Sequence, residues 1–280
     1  MKSFNVRSRV SAVVLACVVS VALSACVGSR ARQPRLQYQE RPVEVLYSVG
    51  LERLDQRRFS EAVLFFQEVE RQHPYSPWSR RAILMQVYAQ YQRNNYEEAI
   101  AAADRFIQLY PGSPQASYAY YMKAICYFEQ IVDVGRDQAA TQQALVALTD
   151  VARRFPSTQY ATDARVKIDM VNDQLAGKEM EIGRWYLHRD QPLAAVGRFR
   201  RVIEQFQTTS HTPEALYRLV EAYLTLGLTE EAERNAAVLG HNFPGSRWYQ
   251  DAYALVTRQG GELDQQPEEE EGWLRRLIPG

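Results

Sequence analysis

Thiols and imidazoles are the side chains best suited to nucleophilic attack or metal ligation, and this chain of 280 residues holds three cysteines and four histidines. His73, His188, His211 and His241 lack an imidazole partner at the i, i+4 spacing that lets one helix face hold a metal ion. No glycine-rich phosphate loop occurs, and no G-x-S-x-G turn that would lift a serine out as a nucleophile. Cys126 sits in "YYMKAICYF", where a small buried thiol is the expectation. The pattern points away from an enzyme, a metal centre or a cofactor site. One thiol keeps a covalent prospect. Cys26 ends the run "VALSAC" (21–26), directly after an apolar segment.

That segment runs from Val10 to Leu23, behind Lys2, Arg7 and Arg9, with no acid before it. It is shorter than the ~20 apolar residues that span a bilayer. A basic start, a short apolar stretch and small residues at its end make a secretory signal peptide. Leu23-Ser24-Ala25-Cys26 resembles the bacterial lipobox, in which the chain is cut before the cysteine and the new N-terminus becomes lipidated. Val27, rather than an aspartate, follows Cys26, a pattern similar to lipoproteins sent to the outer membrane. The expected covalent group is lipid on Cys26, and membrane contact is expected through that anchor alone.

Residues 1–25 contain three of the 33 basic and none of the 33 acidic residues, so a chain starting at Cys26 has a net charge of −3. Such a balance gives no electrostatic case for nucleic acid. With Cys17 removed and Cys26 lipidated, only Cys126 would remain, and no internal disulfide can form.

The elements that position any site come from an internal repeat. "FSEAVLFFQEVERQHPYSP" (59–77) matches "YEEAIAAADRFIQLYPGSP" (96–114) at a shift of 37 residues. The frame returns at "QQALVALTDVARRFPST", "PLAAVGRFRRVIEQFQT" and "EEAERNAAVLGHNFPGS". In each copy an alanine (Ala62, Ala99, Ala144, Ala195, Ala232) lies twelve residues before a proline slot, filled by Gln207 in the fourth copy. Apolar residues at i, i+3, i+4 and i+7 from that alanine mark one face of a helix. Proline ends the helix, because it removes an N–H and restricts the residue before it. Each copy therefore reads as two helices, the second carrying the alanine. The fold class is all-α, a tetratricopeptide-like solenoid of about five helical hairpins. Spacing widens around "VDVGRDQAA" and again at "VNDQLAGKEMEIGRWYLHRD", which reads as a long first helix. A bend or flat interface is expected between copies three and four.

The expected organisation is a signal peptide (1–25), a lipidated cysteine with flexible tether (26–41) and a helical array (42–259). The array divides into N-terminal repeats (42–165) and C-terminal repeats (166–259). Residues 260–280 form an acidic tail, most simply a solvated segment, with Trp273, Leu274, Leu277 and Ile278 as a candidate docking turn.

Two features of the array invite a partner. At i+3 of the second helix, copies one to three place Phe65, Ala102 and Ala147, whereas copies four and five place Arg198 and Asn235. A guanidinium on an inward face either pairs with a nearby carboxylate, such as Glu204 or Glu181, or meets an acid on a partner. Tyr47, Tyr88 and Tyr91 fall on first helices, toward the inner side. They either pack between repeats or line a groove for an extended peptide ending in aromatics.

"QHPYSPWS" (72–79), "DRFIQLYPGSP" (104–114), "YYMKA" (120–124) and "RRFPSTQYATDA" (153–164), together with the lipobox, resemble the BamD-type lipoproteins of the outer-membrane β-barrel assembly machine. The likeness spans Cys26 to about Trp248; the acidic tail has no dependable counterpart. It implies a non-enzymatic scaffold, lipid-anchored on the periplasmic face of the outer membrane. Its implied partners are the POTRA domains of a BamA-type insertase, other lipoproteins of the complex and unfolded outer-membrane proteins. Arg198, with Arg189 and Tyr186, falls on positions that look like the insertase contact. Tyr47, Tyr75, Trp78, Tyr88 and Tyr91 look like the part that meets substrate C-terminal signals. A repeat lipoprotein of pilus or secretin assembly, or of envelope and cell-division coordination, would share the lipobox and helices.

Overall fold

The computed structural model describes residues 36–258. Cys26, the expected signal peptide, the start of the expected tether and the 260–280 tail lie outside the described residues. Within them the chain forms eleven α-helices and no strand. These are α1 (Val43–Asp55), α2 (Phe59–Gln72), α3 (Pro77–Gln92), α4 (Tyr96–Leu109), α5 (Ala116–Phe128), α6 (Ala139–Arg154), α7 (Gln159–Leu187), α8 (Pro192–Gln205), α9 (Thr212–Thr225), α10 (Thr229–Asn242) and α11 (Arg247–Arg258). Each helix packs on the next, and α1, α3, α5 and α7 also touch in succession. This is the helical-hairpin array that the repeat predicts.

The second helices α2, α4, α6, α8 and α10 bury one register. Ala62, Phe66 and Val69 recur as Ala99, Ala103 and Phe106, as Ala144, Leu148 and Val151, as Ala195, Phe199 and Val202, and as Ala232, Ala236 and Leu239, each with no accessible surface. The inward positions are thus i, i+4 and i+7. The i+3 residue lies at the flank, only partly buried in every copy except at Ala102. Facing this register, the first helices present Gly50, Val87, Ala124, Gly183 and Val220. Gly50 lies against Phe66 and Gly183 against Phe199, while Val87 clusters with Ala103 and Val220 with Ala236. A large residue on one helix meets a small one on the other, so every hairpin fills a similar volume.

Helix ends recur as well. Ser76 and Thr158 accept hydrogen bonds from the backbone N–H of Ser79 (3.1 Å) and Ala161 (3.2 Å), and Ser246 does so from Tyr249 (3.2 Å). Such caps satisfy an otherwise orphaned donor. Second helices end at His73, Tyr110, Phe155, Phe206 and Phe243, each giving its N–H to the carbonyl four residues back. Phe206 adopts the same extended turn although Gln207, not proline, follows it. The aromatic ring, packed into the neighbouring core, marks this stop as firmly as the proline does.

Four of the five turns within hairpins contain one left-handed residue, at Arg57, Asn94, Asp190 and Gly227. The third hairpin instead has the longer connection 129–138. The 29 residues of α7 form one unbroken helix that packs on both α6 and α8, so copies three and four share it.

Candidate functional site

The C-terminal site is built on the α7–α8 hairpin. Glu179, two turns before the end of α7, lies at the seam with α8. One carboxylate oxygen accepts from Arg198 Nη1 at 3.2 Å and the other from Arg201 Nη1 at 2.8 Å. The Glu179 side chain is 14% exposed, those of Arg198 and Arg201 31% and 45%. The arginine that stands out in the repeat frame therefore has a carboxylate partner, and it is neither of those expected. Glu204 pairs with Arg200 and Glu181 with Lys178. Helix geometry explains this: residues 198 and 201 are three apart and share a face of α8, and that face looks onto α7 at 179.

A second network continues along the first helices. Glu214 on α9 accepts from Arg184 on α7 at 3.0 Å and from Arg218 at 3.4 Å. Arg218 also bonds Glu221 and lies 5.3 Å from the Tyr217 ring and 5.8 Å from the Trp248 ring. Burial works against charge on Arg218, but Glu221 and Glu214 outweigh it and raise its pKa. Glu68, Glu179 and Glu214 are thus largely buried despite their charge.

Arg189 stands in the α7–α8 turn with its guanidinium 4.3 Å above the Trp185 ring. Tyr186 meets Trp185 edge-on at 5.1 Å but turns its body into the hydrophobic cluster around Met180, Phe199 and Leu219. The hairpin brings Arg189 and Tyr186 together around Trp185, while Arg198 makes its own ion pair further along α8. Trp185 and Leu193 are 49% and 74% exposed, and sequence reasoning did not single them out. Their signal was weak: two apolar residues off the buried register, flanking a turn.

At the N-terminal end the five aromatic candidates divide. Tyr47 packs on Trp78 at 4.9 Å and on Phe66 at 5.5 Å, and Arg81 lies over Trp78. Tyr75 is fully exposed, with no ring contact among the described residues. Tyr91 belongs to a second group, and Tyr88 is half-buried on the same helix. Tyr91 donates to Glu129 at 3.3 Å and packs with Tyr118 and Tyr121 around Val87, Ala103 and Met122. Burial, then Glu129, pushes the Tyr91 phenol up to about 12. Tyr121 donates to Asp163 at 2.7 Å and stacks on Tyr160 at 5.0 Å. Tyr118, Tyr121 and Tyr160 extend this tyrosine-rich face across α5 and α7. Cys126 is buried, and burial pushes its thiol up to about 12.

No group of His, Cys, Asp and Glu among the described residues is arranged to hold a metal, and no described helix is long and apolar enough to cross a membrane. What the array offers is surface: half-buried charge at the C-terminal seams and tyrosine rings toward the N-terminal end.

The family profile "YfiO: Outer membrane lipoprotein" matches residues 39–239. The "Outer membrane protein assembly factor BamD" of Caulobacter vibrioides is 66% identical over 254 residues, covering 91% of this chain and 83% of that protein. The protein of the same name from Rickettsia prowazekii is 46% identical, covering 77% and 86%. Among solved structures, a thermophilic TPR protein from Thermus thermophilus covers 78% of this chain and 100% of that one, with 18% identity and a TM-score of 0.36. With a profile match over most of its length and two such relatives, this chain belongs to the YfiO family of outer membrane lipoproteins, the family of the BamD assembly factors.

Proposed function

We propose that this protein is a non-enzymatic scaffold of the outer-membrane β-barrel assembly complex, held by lipid on Cys26 at the periplasmic face. Its C-terminal repeats dock on the POTRA domains of a BamA-type insertase. Its N-terminal repeats meet the C-terminal signals of unfolded barrel substrates. The observation that carries this reading is the 66% identity, over 91% of the chain, to a protein named as an outer membrane protein assembly factor.

The geometry supports the division of labour. On the α7–α8 hairpin, exposed Trp185 and Leu193 combine with Arg189, Arg198 and Arg201. Aromatic and arginine side chains of this kind anchor protein interfaces. Arg198 is held in place by Glu179, so the surface is formed before a partner arrives and little ordering is needed on binding. On the first helices, tyrosine rings with a polar end suit an extended, aromatic-rich peptide. The decisive experiment is capture from detergent-solubilised membranes with the lipidated chain as bait. Recovery of the insertase and its lipoproteins is expected. Recovery of a secretin in their place would overturn the assignment.

A further inference from the structure

The turns of the first two hairpins form a solvent-open groove of about 470 Å³, lined by Arg57, Arg58, Phe59, Ser60, Glu61, Gln92 and Arg93. Neither the docking surface nor the tyrosine face uses it. Three guanidinium groups share the groove with one carboxylate, and that carboxylate is engaged elsewhere. Glu61 forms an ion pair with Arg53, its carboxylate 3.1 Å from Nε, and only just reaches Arg58, at 4.0 Å. Arg93 donates to the amide oxygen of Gln90, and Arg57 has no side-chain partner among the described residues.

The backbone adds donors. The groove holds the start of α2, whose N-cap position is Arg58 and which has no side-chain cap. The first N–H groups of α2 and the positive end of its dipole therefore open onto the same space as the arginines. Ser60 adds a hydroxyl. We propose that this groove binds the phosphate group of an anionic phospholipid headgroup, giving the protein a second, non-covalent contact with the membrane surface.

Ligand chemistry follows from donors and size. Planar guanidinium groups with helix N–H groups recognise phosphate oxygens, and they supply more donors than one carboxylate can accept. A groove of about 470 Å³ is far larger than inorganic phosphate needs and leaves room for the glycerol backbone of a headgroup. The four residues nearest the turns, Arg57, Arg58, Gln92 and Arg93, are exposed, as a site read from a lipid surface requires. Membership of an outer-membrane lipoprotein family puts such a surface within reach. This inference is independent of how the C-terminal repeats dock.

The test uses the full chain with Cys26→Ala, so that no acyl group contributes. Co-sedimentation is measured with phosphatidylcholine vesicles with and without phosphatidylglycerol, and inorganic phosphate is titrated separately. Binding only to the anionic vesicles is expected, weakened roughly tenfold by Arg57→Gly with Arg93→Gln. Arg57 is left-handed, so glycine suits its backbone, and circular dichroism should be unchanged. The charge-matched control Arg234→Gln with Arg247→Gln, both exposed and far along the chain, should retain binding. Equal losses in the two double variants would overturn the site in favour of general charge. So would absence of binding to anionic vesicles, or inorganic phosphate binding as tightly as the vesicles.

Discussion

Glu179 on α7 holds Arg198 and Arg201 of α8 with its two carboxylate oxygens, at 3.2 and 2.8 Å. Arg198 departs from the repeat frame in charge, and Glu179 is what makes that departure tolerable inside a helix seam. Glu179→Gln should remove the charge but keep the shape, leaving two guanidinium groups facing a neutral amide. The expected loss is about 1 kcal/mol, because both arginines are partly solvated and screening reduces the pair. Urea unfolding reads it as a lowered midpoint at constant slope, and an unchanged midpoint would remove Glu179 from this role.

Arg198→Glu tests the proposed interface. Two carboxylates would then face each other across the α7–α8 seam, with Arg201 still bridging. The helices should persist, by circular dichroism, while capture of the insertase falls by roughly tenfold or more, about 1.4 kcal/mol. The double variant Glu179→Arg with Arg198→Glu restores the internal pair but not the surface charge. If capture recovers in it, the arginine acts only through the fold.

Gly183 and Gly197 make a contrast within one hairpin. A Cβ at 183 would sit 2.4 Å from Phe199 Cε1, and the ring, in a core with no free surface, has nowhere to move. Gly183→Ala should cost about 1–3 kcal/mol. Gly197 lies exposed on α8 with nothing within 4 Å of such a Cβ. Gly197→Ala should stabilise by about 0.5–1 kcal/mol through helix propensity alone. Denaturant midpoints should move in opposite directions.

Cys126 should be inert. Its thiol is buried and its pKa stands at about 12, so almost no thiolate exists at neutral pH. In the Cys26→Ala chain expressed without residues 1–25, it is the one remaining cysteine. Ellman's reagent should react with less than one thiol per chain until denaturant is added, and then with one. Rapid reaction of the native protein would show that α5 opens.

Asp150 and Asp163 contribute to stability on the acid side. The Arg153 hydrogen bond and Arg154 lower the Asp150 pKa; at Asp163 burial raises it, but hydrogen bonds from Lys167 and Tyr121 prevail and lower it. A carboxylate whose folded pKa is depressed contributes stability above its unfolded pKa, near ~3.9, and loses it as pH falls through the folded value. Tyr121→Phe removes one of these donors. Its thermal midpoint should fall at neutral pH, and the difference from the parent should shrink below about pH 4.

Much of the fold is legible in the chain, because its determinants are local. Ala62 to Val69 and its four repeats need only the 3.6-residue period to be recognised, and Pro74, Pro111, Pro156 and Pro244 stop helices by their own chemistry. The site is less legible. Arg198 stands out by type, but its partner does not, since Glu181 and Glu204 are equally plausible along the chain. Tyr186 and Trp185 are neighbours in sequence, yet one faces the core and the other solvent. The basic groove joins Arg57 and Arg58 to Arg93, residues on two successive turns that have no pattern in common.

The sequence by itself determined that this is an array of helical hairpins, where each hairpin starts and stops, and which face of each second helix is buried. Those properties rest on backbone preference and on apolar residues a few positions apart. Only the tertiary structure decided which charges meet, Glu179 with Arg198 and Arg201 and Glu214 with Arg184 and Arg218, and that Arg57 and Arg93 line one groove. Such contacts depend on how one helix crosses another, and a rotation of a single residue position, about 100°, would redirect every one of them. That crossing is set by volumes matched across the hairpin, glycine against phenylalanine and valine against alanine, which act only once the helices have met.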